Sequence, residues 1–522
     1  MFFFYQWNLE SYKKYDCRNK SNLQQTLFRE NPKMKINQKA ANKNVSVFNR
    51  KLFLLSLGAC LVAFVKIPIF SQWLFDSKAG EIKDSNGWNV GDEEALRRFS
   101  ISFCDIDRKS ISDITSKEFE HQYRLRKPLI LTFQNGAKDW INSSMWSRSE
   151  LKKKYGQWLL LVGNAREIVR HGGNGHIQTS VEDFLDDKMQ KTNLQGEPLY
   201  VFDRYFYQDS DLPSSLKFPK LLKFKEHLHD SLFFLGSTGT GVTFHKHADA
   251  WNAVVFGKKR WFLYPPKKAP PGGIPFGFTI LEWFDTIYPT LDESNKPIEC
   301  IQEAGEILYL PESYYHSTLN IGDTVAIGIQ KKEPATEIEK LFYEELKYHS
   351  QIIEVKNQRL NSTEKEFVIN KQTQIQESLL KLLPANTEVH LKLSEIYSLA
   401  GRFNEAFKHS TKAMELDPLF VVAYLTIANQ FFMLGRNTKA EEMFQKAMVI
   451  NPKLWDVYAQ YGSFLVNTHH TEQAIEIFQK GIELEPNMTA FWYHLMMAQI
   501  QLGDTKGAEI SSQQMERLNA QH

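Results

Sequence analysis

Pro384, Pro418, Pro452 and Pro486 recur at one constant interval of about 34 residues, and no other feature limits the fold of this 522-residue chain so much. Ala406, Ala440, Ala474 and Ala508 recur at the same interval, as do Gly401, Gly435 and Gly503, with His469 in the place of the third glycine. A unit of this length suits two antiparallel helices and their turns. The small residues let the helices of one hairpin approach closely, and the proline ends the second helix because it has no N–H to donate in a helix interior. Three units are expected at 387–420, 421–454 and 455–488, with a partial fourth from 489. None can bury its apolar face alone, so the units stack into a superhelix with a concave face. Tyr424, Tyr458 and Trp492 share the interval and read as packing positions.

Period, alanines and prolines together are the signature of the tetratricopeptide repeat. Residues 387–518 are therefore expected to form an all-α solenoid whose groove takes a protein or peptide partner. Ahead of it, 338–353 has the amphipathic pattern of a helix and 357–374 is polar, so 333–386 reads as a helical linker.

The opposite end of the chain has another character. Residues 1–51 carry 11 Lys or Arg against 3 acids, the composition of a basic flexible arm. From Leu52 the chain runs to Val65 without a charge, and counted on through Lys66 to Phe75 the stretch reaches 24. That exceeds the roughly 20 residues that span a bilayer, and Lys66 can snorkel to the interface. Arg50 and Lys51 precede the stretch, while 76–99 holds six acids and four bases. The positive-inside rule then keeps the N-terminus cytoplasmic. Residues 52–75 are expected to be a signal anchor; a signal peptide cleaved after a start at Met34, or a buried soluble helix, are the alternatives.

On the anchored topology everything after Phe75 faces a lumen, where the sequons at Asn142, Asn361 and Asn487 are glycosylation sites. Cys104 and Cys300, the two cysteines beyond the anchor, pair as a disulfide in an oxidising compartment or remain two buried thiols. None of the four cysteines forms a CxxC pair, which argues against a cysteine zinc site. The net charge of +2 lacks the basic excess of a polyanion binder, and no nucleic acid is expected as a partner.

Between these ends, 100–332 breaks short apolar runs with Gly and Pro, which favours a small barrel or sandwich. Residues 116–123 read as a helix capped by Thr115, with Glu118 completing a capping box. Residues 147–155 and 181–189 also read as helices, and 127–131 as a strand. Residues 250–256 and 261–264 read as strands joined by a turn over 257–260; 305–311 feeds a loop holding Tyr314, Tyr315 and His316, and a turn at Gly322-Asp323 precedes a strand over 324–330. His245 and His247, two apart in an extended chain, face the same way. His316 lies well downstream, on a separate segment. Two imidazoles from one strand and a third from a distant one are a way to hold a non-haem iron.

The run from His245, HKH…AWNAVVFGKKRWFLYPP, with GEILYLPESYYHSTLN after it, resembles the jumonji-C (JmjC) branch of the cupin-type iron and 2-oxoglutarate oxygenases. Over about 104–328 it resembles in particular the jumonji domain-containing 8 family of the endoplasmic reticulum lumen. The resemblance implies a double-stranded β-helix with flanking helices over 100–332, and Fe(II) and 2-oxoglutarate as cofactors if the site is active. It also implies that Lys259 binds the 2-oxoglutarate carboxylate, with Asn252 and Asn320 nearby. Read by itself, Lys259 in a basic run of three also fits a solvated face, and the two asparagines also fit hydrogen bonds to loop backbone. The repeats lie outside the resemblance.

One position departs from the family pattern. Two residues after His245 stands His247, where most active members carry Asp or Glu. Either His245, His247 and His316 form a three-histidine metal site, or the register slides so that His247 and Asp249 supply the usual pair. Gly257 lies 12 residues after His245 but only 10 after His247, and the longer gap, nearer the family's, favours the first. The expected architecture is thus mixed: an N-terminal hydrophobic anchor helix, a double-stranded β-helix and an all-α solenoid. Two functions follow. One is an endoplasmic reticulum protein, single-pass type II or lumenal after signal cleavage, with a hydroxylase-like domain acting on proteins brought by the repeats. The other is a catalytically inactive JmjC scaffold for protein–protein interaction in that lumen.

Overall fold

The structure, a computed structural model, describes residues 86–520 apart from 165–167, 169–176, 191–197, 218, 223–230, 274–277 and 332. The basic arm and the apolar segment 52–75, with its expected anchor helix, lie outside the described residues. Among the described residues no helix is long and apolar enough to cross a membrane.

The first part is β-rich. Its strands are β1 (Asp107–Ser110), β2 (Leu129–Thr132), β3 (Leu159–Gly163), β4 (Ile177–Ser180), β5 (Tyr200–Asp203), β6 (Ser231–Gly236), β7 (Ala250–Tyr264), β8 (Ile298–Gln302), β9 (Ile307–Leu310) and β10 (Tyr315–Gln330). They form one sheet in the order β1-β2-β9-β7-β10-β6-β5-β3-β4, with β8 also on β7. β7 and β10 run antiparallel along nearly their whole lengths, from Tyr315 opposite Tyr264 to Gln330 opposite Ala250. Each also takes other partners: β7 pairs with β9 through 250–253 and with β8 through 259–263, and β10 pairs with β6 through 324–329.

The turns expected at 257–260 and 322–323 are instead bulges inside continuous strands. Gly257 and Gly322 have φ of +76° and +73°, the left-handed region open to glycine. A Cβ on Gly257 would lie 2.3 Å from the Asp323 carbonyl oxygen. Local composition misleads here because three basic residues in a row suggest a wet turn, whereas a strand turns alternate side chains apart.

Local capping explains most of the flanking helices. The Thr115 hydroxyl accepts from the Glu118 N–H at 3.1 Å and starts a helix that continues as a π turn over Phe119–Tyr123. The Glu118 carboxylate does not close a capping box; it reaches Lys109 at 3.4 Å. Ser147 caps Arg148–Tyr155, and Thr279 with Glu282 makes a full capping box at the start of Ile280–Thr286. A disulfide joins Cys104, ahead of β1, to Cys300 on β8, across 196 residues.

The second part is helical. Glu337–Lys356, where an amphipathic helix was expected over 338–353, and Ser362–Leu382, which covers most of the polar stretch 357–374, form a hairpin, the second helix starting from a capping box of Asn361 and Glu364. Four hairpins follow: Thr387–Leu399 with Phe403–Leu416, Val421–Met433 with Asn437–Ile450, Trp455–Asn467 with Thr471–Leu484, and Thr489–Leu502 with Thr505–Ala520. The fourth is a complete hairpin. Ala406, Ala440 and Ala474 are fully buried where the two helices of a hairpin meet. The periodic aromatics also hold the loops in place. The Tyr424 and Tyr458 hydroxyls and the Trp492 N–H donate to the carbonyls of Pro418, Pro452 and Pro486 at 3.0, 2.7 and 2.9 Å. Each pins the loop six residues behind it.

Candidate metal centre

The residues just before β7 and the start of β10 meet where the backbones of His245 and His316 exchange hydrogen bonds of 3.1 and 2.9 Å. This pairing brings together residues far apart in sequence. The ring centroids lie 4.1 Å apart for His245 and His316, 4.5 Å for His247 and His316, and 5.5 Å for His245 and His247. One ligand atom from each lies within 4.8 Å of the others. The three residues can converge on one ion.

Hydrogen bonding settles which nitrogen is offered. Nδ1 of His245 lies 2.9 Å from the Thr243 carbonyl oxygen, that of His247 2.7 Å from Ala248, and that of His316 2.9 Å from Tyr314. A carbonyl accepts, so each Nδ1 carries the proton and each Nε2 keeps a lone pair, the arrangement found in metal-ligating histidines. Burial pushes the His245 imidazole down to about 4 and the His247 imidazole down to about 3, and it holds His316 well below its ordinary value. All three are neutral at neutral pH. Their chemistry suits a divalent first-row metal.

Asp249, the alternative ligand, is not in this group. The chain bends at Ala248 and Asp249, which breaks the two-residue alternation and turns the carboxylate to Lys331 at 3.0 Å. The sliding register is thereby corrected.

Lys259 projects inward from β7 and lines the same cavity as the three histidines. It is 1% exposed. Its Nζ donates to the Tyr200 hydroxyl and to Asn320 Oδ1, both at 3.0 Å. Its neighbours in the basic run have acidic partners, Lys258 with Glu303 at 3.0 Å and Arg260 with Glu299 at 2.7 Å. Lys259 pairs with no carboxylate among the described residues, and burial pushes its ammonium down to about 7. A buried cation left without a counter-charge is costly unless a ligand supplies one.

Asn252 also lines the cavity, and its buried Oδ1 has no hydrogen-bond partner among the described residues. Asn320 is fully buried outside the cavity lining. Its Oδ1 accepts from Lys259 and its Nδ2 donates to Thr240 Oγ1 at 2.8 Å, so it orients the lysine. Tyr200 was not legible as a site residue. Strand pairing from β5 through β6 and β10 to β7 brings it to Lys259, and no local motif marks it. Asn142, Asn361 and Asn487 are exposed.

Comparison with known proteins accords with this geometry. Residues 115–329 match the Cupin-like domain, and residues 456–488 match a tetratricopeptide repeat. JmjC domain-containing protein 8 of Homo sapiens is 33% identical over 246 residues, 46% of this chain and 88% of that protein. This chain belongs to the JmjC cupin-like family. The Mus musculus JmjC domain-containing protein 8 is 32% identical over 265 residues, 50% of this chain and 94% of that protein. A relative almost used up by half of this JmjC chain has no room for a four-hairpin array as well. The 2-oxoglutarate and iron-dependent oxygenase JMJD4 of Mus musculus is 28% identical over 223 residues, 36% of this chain and 52% of that protein. Three neutral imidazoles and a buried lysine that pairs with no carboxylate among the described residues fit a divalent metal and an anionic chelator, whereas the unpartnered Asn252 Oδ1, an acceptor, fits a donor.

Proposed function

We propose that the JmjC barrel binds Fe(II) through His245, His247 and His316 and 2-oxoglutarate through Lys259 and Asn252, and hydroxylates a protein held by the repeats. The observation that carries this reading is the buried lysine, without a carboxylate partner among the described residues, in the cavity of the three imidazoles. Iron and keto acid, when bound, supply the activation of dioxygen; the chain supplies binding, orientation and a dry wall. The carbonyls of Thr243, Ala248 and Tyr314 hold the Nδ1 protons and so keep each Nε2 free for the metal. Lys259 takes one carboxylate of the keto acid as a point charge, and Asn320 and Tyr200 keep its ammonium in place. Asn252 can offer the bound anion only its Nδ2 hydrogens, since its oxygen accepts.

One observation favours a second reading, the inactive scaffold. His247 stands where a carboxylate ligand would contribute a negative charge, so the ligand set leaves the metal charge unbalanced. Metal content and 2-oxoglutarate turnover of the purified chain separate the two. The hydroxylase reading expects one equivalent of iron and turnover, both lost in His316→Ala; iron-free protein without turnover leaves the scaffold.

We further infer a single-pass type II protein of the endoplasmic reticulum membrane anchored by 52–75, or a lumenal one after signal cleavage. The Cys104–Cys300 disulfide, of the kind that persists in oxidising compartments, and the exposed Asn142, Asn361 and Asn487 support this reading. Glycosidase treatment of the chain made in cells is expected to increase its gel mobility, and the triple Asn→Gln variant to show no shift. A wild-type chain in membranes that gives no shift argues for the cytoplasmic side.

A further inference from the structure

Extended backbone sends successive side chains to opposite sides. His245 and His247 turn into the cavity, so Lys246 between them turns outward, and Tyr315 does the same beside His316. What these outward side chains meet is the first repeat helix.

Lys246 Nζ donates to Glu388 Oε2 at 2.6 Å, with the two side chains 8% and 4% exposed, and lies 3.8 Å from the centroid of the Phe342 ring. The Tyr315 hydroxyl accepts from Asn386 Nδ2 at 2.6 Å and donates to the same Glu388 oxygen at 3.3 Å. Asn386 is the N-cap of Thr387–Leu399, its Oδ1 accepting from the N–H groups of Glu388 and Val389 at 3.1 Å each. One helix start therefore grips residues adjacent to all three imidazoles. A second contact holds this hairpin to the barrel. Asp417 Oδ2 accepts from the Gly272 N–H at 2.9 Å, and the Phe420 ring fills the space over Gly273, where a Cβ would lie 2.0 Å from it.

A buried ion pair adds little net stability over an apolar pair, but removal of one partner leaves an uncompensated buried charge that the surrounding strand and helix must move to solvate. Here that strand carries the ligands. Groups hydrogen-bonded to metal ligands are worth about 10–100-fold in metal affinity when removed, and Glu388 and Asn386 act one step further out, through Lys246 and Tyr315, at the lower end of that range.

We propose that Asn386 and Glu388 are positioning residues for the His245–His247–His316 group, so that metal retention by the barrel depends on the first repeat. This rests on the three-histidine reading above, and the test separates the two. Co(II) is titrated into the metal-free full chain, with affinity and the visible d–d bands as readouts and thermal unfolding followed in parallel. Glu388→Gln is expected to bind Co(II) about tenfold more weakly, with displaced bands. Asn386→Ala and Tyr315→Phe, which bury no unpaired charge, are expected to do so by a smaller factor. Lys453→Ala, which breaks the 3.1 Å contact of a later loop with Glu282 and touches neither Lys246 nor Tyr315, keeps wild-type affinity and bands. Wild-type uptake with unchanged Glu388→Gln and Asn386→Ala overturns the positioning role, and so does an equal loss in Lys453→Ala. Should Glu388→Gln fail to fold, unchanged affinity and bands in Tyr315→Phe overturn it instead. A wild-type chain that takes up no Co(II) overturns the three-histidine reading itself.

Discussion

The barrel and the repeat array solve the same problem of burial in opposite ways. In the array, positions that must be small or apolar recur once per hairpin, and each hairpin packs mainly on its neighbours. In the barrel, the decisive contacts join residues remote in sequence, His245 with His316 and Lys259 with Tyr200. Beyond the first repeat helix, which docks on the barrel, a local change should therefore stay local in the array, whereas in the barrel it should spread to the site.

The comparison breaks most visibly in the two cores. Leu263, buried opposite His316, and Phe444, buried between repeat helices, should each cost about 2–5 kcal/mol when truncated to alanine. Denaturant unfolding measures that cost. Metal uptake should fall only in Leu263→Ala, and a fall in Phe444→Ala would mean that the two parts act as one. Overpacking comes next. Ala440→Leu should destabilise the array by about 1–3 kcal/mol, since the fully buried alanine has no room for growth, and calorimetry should show the barrel transition unmoved.

The third prediction belongs to the cavity. With its ammonium held down to about 7, Lys259 is increasingly neutral above that pH, and anion binding must then take up a proton. The 2-oxoglutarate affinity should fall about tenfold per pH unit above 7, one proton's worth. Titration calorimetry across pH 6.5–9 checks this, and Lys259→Arg, if it binds, should show no such slope because arginine stays charged. A wild-type affinity independent of pH would remove Lys259 from anion binding.

The smallest effect concerns backbone strain. His469 occupies the place held by Gly401, Gly435 and Gly503 in the other units, with φ of +62° against +74°, +69° and +78°. His469→Gly should stabilise the array by about 1 kcal/mol. In the barrel, Ser313 has φ of +61°, but its hydroxyl donates to Glu339 at 2.5 Å. Ser313→Gly should gain little, because relief of strain there removes a bond. Melting curves of both variants sharpen the contrast.

Much of this was legible in particular residues. The periodic prolines and alanines announced helical hairpins, and Thr115 marked a helix start, because caps and repeats act over a few residues. The hairpin at 337–382 was half-hidden by its polar composition, and the Lys258–Arg260 run misread as a turn because its alternation depends on strand partners. Asp249 was a reasonable ligand candidate until the bend at Ala248 turned it away.

By itself the sequence determined the two-part architecture and singled out the three histidines and the lysine as candidates, since period and residue type are properties of neighbours along the chain. Only the tertiary structure decided which imidazole nitrogens carry the proton, that Lys259 pairs with no carboxylate among the described residues, and that Glu388 of the first repeat bonds Lys246 between His245 and His247. Those are matters of distance and burial between remote segments, and strand register and helix docking set them.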